Sequence, residues 1–465
     1  RTHVIGSRFA PVLRDLQPLS DRFGAAGHRL FLVGGTVRDL VLANENGANQ
    51  REPLTHEFDI DATTTARPDE IKRFLDGWAD AVWTQGERFG TIGATKGGRV
   101  YEITTHRAEA YQNHSRKPDV EFSRDIEADL SRRDFTINAM AIELTGLEPE
   151  REPTLIDPFG GIHDLAGRIL RTPLAPEASF SDDPLRMLRA ARFVARYGFE
   201  PDAGLLRAVR AMGERLEIVS AERVHDELGK LLQAPRPGRG LRFAGDTGLL
   251  QHVAPELAVA GAQEDEPCHD DLWAHTVDLV DAVAAPAGQS YDRRIVRWAA
   301  LLRPLGAERA RARMHALRCS NDEVAGATRL IELAGPTLER LADGEPWTDA
   351  EVRRHLARAG DLRAGLQALM EAESQVLTGS LHHRVQEGLR ALADRVDALG
   401  RREPLDDLGP QLSGDQVMAI LGLSSGPAIG AALARLTDVR LDEGILDGAS
   451  LESRLREWYD DYVER

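Results

Sequence analysis

Between residues 28 and 172 the apolar positions change period several times. "HRLFLVGG" (28–35) is a continuous apolar run closed by two glycines and reads as a buried strand. "TVRDLVLA" (36–43) then reads as a helix start, and "HEFDIDATT" (56–64) as a second strand. "PDEIKRFLDGWA" (68–79) has the spacing of an amphipathic helix. "RFGTIGATKGGRVYEITTHR" (88–107) alternates on both sides of a Gly-Gly pair, which predicts a hairpin. "RRDFTINAMAIEL" (132–144) and "LIDPFGGIHDLAGRILRT" (155–172) complete a unit of mixed strand and helix, an α+β domain.

From about Ser181 the strand signals vanish and helical periodicity runs to the end. Breaks fall at 233–240, 261–267, 285–290, 342–348 and 400–410, several of them Pro/Gly punctuated as turns or linkers are. "ENGANQREP" (45–53) reads as a surface loop within the first domain.

A chain of 465 residues is too long for one ordinary core, so three or four modules are expected. Hydrophobic residues make up 42% and are spread along the chain, as in a soluble globular protein. No apolar run approaches the ~20 residues of a membrane span, and no signal-peptide pattern opens the sequence. Cys268 and Cys319 are the only cysteines. That fits a reducing cytoplasm and argues against a disulfide framework or a thiolate metal site. The net charge of −17 argues mildly against nucleic-acid binding. Binding is local, however, and arginines cluster in 132–133, 186–196 and 309–318, so a basic groove on an acidic protein stays open.

Four stretches carry candidate chemistry. In "VGGTVRD" (33–39), Gly34 and Gly35 let a ligand approach the backbone, the following helix N-terminus favours phosphate, and Arg38 adds a guanidinium fork. An ordinary strand–turn–helix connection has the same pattern. Asp59 and Asp61, two apart on a strand, point to one face. They are either a solvent-facing strand end or a pair neutralised by divalent cations, with Glu102 on a neighbouring strand as a third carboxylate. Two Mg²⁺ ions ~3.5–4 Å apart can clamp an in-line nucleotidyl displacement. In "RRDFTINA" (132–139), Arg133, Asp134 and Asn138 suit triphosphate and sugar contacts, although a lone RRD is weak.

The fourth is "SFSDDPLRMLRAARFVARYGF" (179–199), a helix that Ser181 or Asp182 can cap. Asp183 and Arg186, three apart, share a face, as do Arg186, Arg189 and Arg192 roughly. An exposed salt-bridged helix explains this. So does base recognition: an acceptor beside a donor complements the amino and ring nitrogens of cytosine and adenine and mismatches uracil and guanine. Each mismatch leaves buried polar groups unpaired, at about 1–3 kcal/mol.

With all four in this order, the chain resembles the class II tRNA nucleotidyltransferases, the CCA-adding enzymes, and the related bacterial poly(A) polymerases. "LVGGTVRD", "DID", "YEITTHR", "RRDFTINAMAI", "DPFGG", "DDPLRMLRAARF" and "SAERVHDEL" (220–228) stand in family order across about residues 30–250. The resemblance implies a polymerase-β-like α+β head (1–172) followed by all-α domains: a neck (173–260), a body (261–400) and a tail (401–465). It implies addition of C, C and A to tRNA 3′ ends from CTP and ATP with Mg²⁺. Asp59 and Asp61 match the metal carboxylates, Gly35 and Arg38 the phosphate contacts, and Arg133 the triphosphate site. Asp183 and Arg186 match the base readers, with Arg189 and Arg192 as further nucleotide contacts.

Two features depart from the family. The stretch before the catalytic strand, 44–56, is longer. The body resembles an HD phosphohydrolase domain, with His275 at the first metal histidine. Where the metal-binding His-Asp pair would stand, the chain has Arg303 and Pro304, which cannot ligate a metal, so a degenerate structural domain is expected. "TQGERFGTIGAT" (84–95) replaces the basic segment of the poly(A) polymerases. A poly(A)-type or A-only activity remains the alternative, and an HD phosphohydrolase is disfavoured.

Overall fold

The computed structural model describes residues 9–45, 59–109, 120–122, 125–146, 154–260, 272–286 and 290–463. The long stretch 44–56 therefore lies largely outside the described residues, as do 110–119 and 123–124 between Glu102 and Arg132. The chain packs as two units, Arg1–Ser220 with Phe243–Val253, and Ala221–Arg242 with Ala254–Arg465.

The first unit is built on a seven-stranded mixed sheet. Helix α1 (Phe9–Ala25) precedes strand β1 (Leu30–Val33), which runs directly into α2 (Gly34–Glu45). Strand β2 (Ile60–Thr64), helix α3 (Pro68–Leu75) and strands β3 (Ala81–Trp83), β4 (Thr91–Lys96) and β5 (Arg99–Thr105) follow. A separate pair, β6 (Arg107–Glu109) and β7 (Val120–Phe122), leads to α4 (Ile126–Ser131). Strands β8 (Ala141–Glu143) and β9 (Leu155–Ile156) close the sheet in the order β3-β4-β5-β2-β1-β8-β9. Only β2 and β5 pair in parallel; every other neighbour is antiparallel.

The predicted hairpin is β4–β5. Its turn residues Gly97 and Gly98 have φ of 57° and 77°, the positive values a two-residue hairpin turn requires at both centres. Helix α3 starts at Pro68, where a proline costs no hydrogen bond, and buries Ile71 and Leu75. It stops at Leu75, short of the predicted 79, ahead of Gly77 with φ of 67°. Strand β1 is buried on both faces. Leu30 and Leu32 join the core made with α1, α2 and α3, while Phe31 and Val33 join Ile126 and Leu130 of α4 on the other side.

Helix α5 (Gly161–Gly167) leads to α6 (Pro176–Asp182), α7 (Arg186–Tyr197) and α8 (Ala203–Met212). Helical structure dominates here as predicted, with one short exception: Glu200–Pro201 pairs in parallel with Ile169–Leu170.

The second unit is helical throughout its described residues. Arg297 is fully buried in the helix Arg293–Leu302 and donates to the carbonyls of Leu232 and Ala234 at 2.5 and 2.8 Å. The break at 400–410, read above as a turn or linker, is pinned. Glu403 is buried between Arg353 (2.6 Å) and Arg440 (2.7 Å), a contact between distant segments that local composition does not report. The last helices close on Val417, Leu436, Leu451 and Leu455. No helix among the described residues is long and apolar enough to cross a membrane.

Candidate active site

The parallel register of β2 and β5 sets Asp61 directly beside Glu102. Asp59 is exposed and stands just before β2, not on it, since the strand begins at Ile60. Thr36, in the first turn of α2, fixes this approach. Its hydroxyl donates to the Asp59 carbonyl at 3.1 Å and accepts from the Asp61 amide at 3.3 Å.

The two glycines sit against different side chains. Gly34 has φ of 69°, in the left-handed region. A Cβ there would lie 3.0 Å from Arg133 Nη1 and 3.2 Å from Asp61 Oδ2. At Gly35 it would lie 3.3 Å from Arg38 Nη2. The absence of a side chain at Gly34 thus lets Arg133 and Asp61 close on the backbone bend, and its absence at Gly35 leaves room for the Arg38 guanidinium. Burial pushes the Asp61 carboxyl up to about 6; Arg133 opposes this, and the like charges of Glu102 and Asp59 add to it. Asp61, Glu102 and Asp59 offer hard oxygen atoms of the kind that Mg²⁺ takes, but the three do not gather about one point in this structure.

Arg38 is 7% exposed, and its Nε, Nη1 and Nη2 donate to Asp39 (2.8 Å), Asn138 (2.6 Å) and Tyr197 (2.7 Å). Arg133 reaches Asp129 at 3.2 Å. Asn138 donates to Asp134 at 2.9 Å, and Arg189 donates to Asp134 Oδ2 through Nε and Nη2 at 2.9 and 2.6 Å. Burial by itself would raise the Asp134 carboxyl, but Arg189 and Asn138 hold it well below the usual carboxylate range.

The stretch expected to read the base is bent more than its spacing suggested. Asp183 lies outside α7, in extended conformation with φ of −144° and ψ of 98°. Pro184 explains this, because a proline excludes the helical region for the residue before it. Asp183, not Ser181 or Asp182, accepts from the Leu185 amide ahead of α7, at 3.2 Å. Arg186 opens the helix, donating to Ser179 Oγ at 2.8 Å and to the Arg132 carbonyl. Arg192 is half-buried, its guanidinium carbon 5.0 Å from the Phe193 ring centre. All the proposed site residues therefore belong to the first unit. Sequence reasoning missed Thr36, Asp39, Ser179 and Tyr197. All four lie inside the quoted stretches, but nothing in their spacing marked them.

In the second unit, His275 Nε2 lies 3.1 Å from Glu373, which also takes the Arg303 guanidinium. A cation of the protein thus sits beside that histidine. Among the described residues, the group placed to share an ion is His225, Cys319 and Glu323. Glu323 is already paired with Arg294 at 3.1 Å, and burial pushes the Cys319 thiol up to about 12.

A mixed sheet presenting carboxylates beside a glycine-led helix, followed by helices, is the architecture of a nucleotidyltransferase. Residues 30–171 match the family described as "Poly A polymerase head domain", and 198–260 match "Probable RNA and SrmB- binding site of polymerase A". The chain is 31% identical over 408 residues to the CCA-adding enzyme of Geobacillus thermodenitrificans, covering 86% of each. It is 31% identical over 427 residues to that of Limosilactobacillus fermentum, covering 90% of each. The crystal structure of the Bacillus stearothermophilus CCA-adding enzyme in complex with CTP superposes with a TM-score of 0.72 at 26% identity over 99% of both chains. This chain belongs to the CCA-adding enzyme family.

Proposed function

We propose that the protein adds C, C and A to the 3′ ends of tRNA from CTP and ATP, releasing pyrophosphate and using no nucleic-acid template. The observation that carries this reading is the convergence of Asp61, Glu102, Arg133 and the Gly34 backbone on one spot. Family membership supports the choice of tRNA, CTP and ATP.

Gly34 and Gly35 admit the triphosphate to the start of α2, where free backbone N–H groups favour its charge. Arg133 reaches the same opening and neutralises phosphate oxygens. Asp59 and Asp61, with Glu102 as a third carboxylate nearby, would hold divalent cations, which we assign as two Mg²⁺. Such ions, when bound, would ease loss of the 3′-hydroxyl proton and offset the charge of the departing pyrophosphate. The hydroxyl oxygen attacks the α-phosphorus as the bond to pyrophosphate breaks. Asp183 and Arg186 read the base edge, accepting from its amino group and donating to its ring nitrogen. Asp134, Asn138, Arg38, Arg189 and Arg192 form the surrounding wall and fix the pose of the nucleotide. Residues 1–172 serve as the head, 173–260 as the neck, 261–400 as a structural body and 401–465 as the tail, in the cytoplasm.

The test is nucleotide incorporation on tRNAs ending before CCA, after C and after CC, with Mg²⁺. Labelling from both CTP and ATP is expected. Labelling with ATP alone, only on ends already carrying CC, would replace CCA addition with A addition. Long A tails on any RNA would point to a poly(A) polymerase.

A further inference from the structure

Helix α7 is tied to the sheet-bearing half of its unit by a ring of hydrogen bonds that leaves the helix at Arg189 and returns at Tyr197, about two turns later. Arg189 donates twice to Asp134 Oδ2, at 2.9 and 2.6 Å. Asp134 Oδ1 accepts from Asn138 Nδ2 at 2.9 Å, and Asn138 Oδ1 accepts from Arg38 Nη1 at 2.6 Å. Arg38 Nη2 then donates to the Tyr197 hydroxyl at 2.7 Å. That hydroxyl is 3.4 Å from Asp39 Oδ1, which also accepts from Arg38 Nε at 2.8 Å. The ring oxygen thus has both an acceptor role and a donor role. The Arg38 guanidinium carbon lies 4.7 Å from the Tyr197 ring centre and 5.3 Å from that of Phe193, so the aromatic faces hold the fork as well.

The members of this ring have different jobs. Arg38 sits one turn into α2, the helix whose first residues meet Asp61 and Arg133. Asp134 and Asn138 belong to the segment that carries Arg133. Arg189 and Tyr197 belong to the helix that begins at Arg186. A single contact would leave α7 free to pivot about it. Two anchors on one helix, closed through a common path, fix both its distance and its tilt.

We propose that Tyr197 is a positioning residue for nucleotide transfer: through Arg38 it holds the base-reading start of α7 at a set distance and angle from the Asp59–Asp61 edge. The inference rests on the function proposed above. Base and α-phosphate belong to one nucleotide, so a tilt of α7 displaces the phosphorus from the attacking hydroxyl. Misplacement on that scale lowers turnover more than it lowers affinity. Removing the hydroxyl also leaves Arg38 Nη2 buried without that acceptor, which loosens the fork.

Tyr197→Phe is the informative variant. It keeps the ring that packs on Phe193 and Phe199, each with centres 5.5 Å away, and deletes only the oxygen. We expect kcat with CTP and with ATP to fall about tenfold or more while KM for both stays within about twofold, and the protein to stay folded at the assay temperature by circular dichroism. Combined with Arg189→Lys, the two losses should be less than multiplicative, because both cut one ring. The proposal is overturned if Tyr197→Phe turns over like the parent, if its loss of rate equals its loss of folded protein, or if the double variant is fully multiplicative. Failure of the unaltered protein to incorporate CTP or ATP would instead count against the function itself.

Discussion

Asp59 and Asp61 differ in setting although they are two residues apart. One is exposed at the edge of the strand; the other is half-buried beside Glu102 and under Gly34. Replacing Asp59 by Ala should abolish incorporation while tRNA is still retained in a gel-shift assay. Persistent incorporation would remove the metal role. Asp134 allows a test by pH. Its folded pKa is depressed, so its stabilising contribution is present above the unfolded value of about 3.9 and is lost as pH falls through the folded one. Asp134→Asn should therefore lower the stability by roughly 3–5 kcal/mol near neutral pH, as expected when a buried ion pair loses one partner. The gap to the parent should close in acid. A gap independent of pH, measured by denaturant unfolding, would assign the loss to packing.

At the scale of elements, Gly34 is the tightest constraint. Gly34→Ala must place a side chain at φ of 69° within 3.0 Å of Arg133 and 3.2 Å of Asp61. We expect a stability loss of about 1–2 kcal/mol from the left-handed backbone. We also expect turnover to fall about a hundredfold as the arginine and carboxylate are displaced. A loss confined to stability would show that the close approach is structural only. The elements themselves were largely readable. The β4–β5 hairpin followed from Gly97-Gly98 between alternating runs, because a two-residue turn demands positive φ at both centres. The neck stretch was read correctly as helix with the wrong start. Ser181 and Asp182 looked like caps, but Pro184 forces Asp183 into extended backbone and divides the segment into α6 and α7.

For the whole molecule, a net charge of −17 and an RNA substrate are compatible only if the RNA meets a local basic surface. Binding of tRNA should then weaken steeply with salt, with a log–log slope of several units, since each neutralised phosphate contributes about 0.7 in single strands and about 0.9 in B-form DNA. A flat response in filter binding would show that phosphate contacts do not hold the RNA.

The sequence by itself determined the order of the motifs, the alternation of strand and helix, the hairpin and the identity of the carboxylates and arginines. These rest on local rules of period, glycine and proline, which act over a few residues. Only the tertiary structure decided where those groups end up. It made Asp61 and Glu102 neighbours, through a parallel pairing of strands distant in the chain. It set Arg38 against Tyr197, 159 residues away, and buried Glu403 between two arginines in what composition marked as a turn or linker. A hydrogen bond between remote residues has no period and no spacing. It exists only once the packing that removes both groups from water has brought them together.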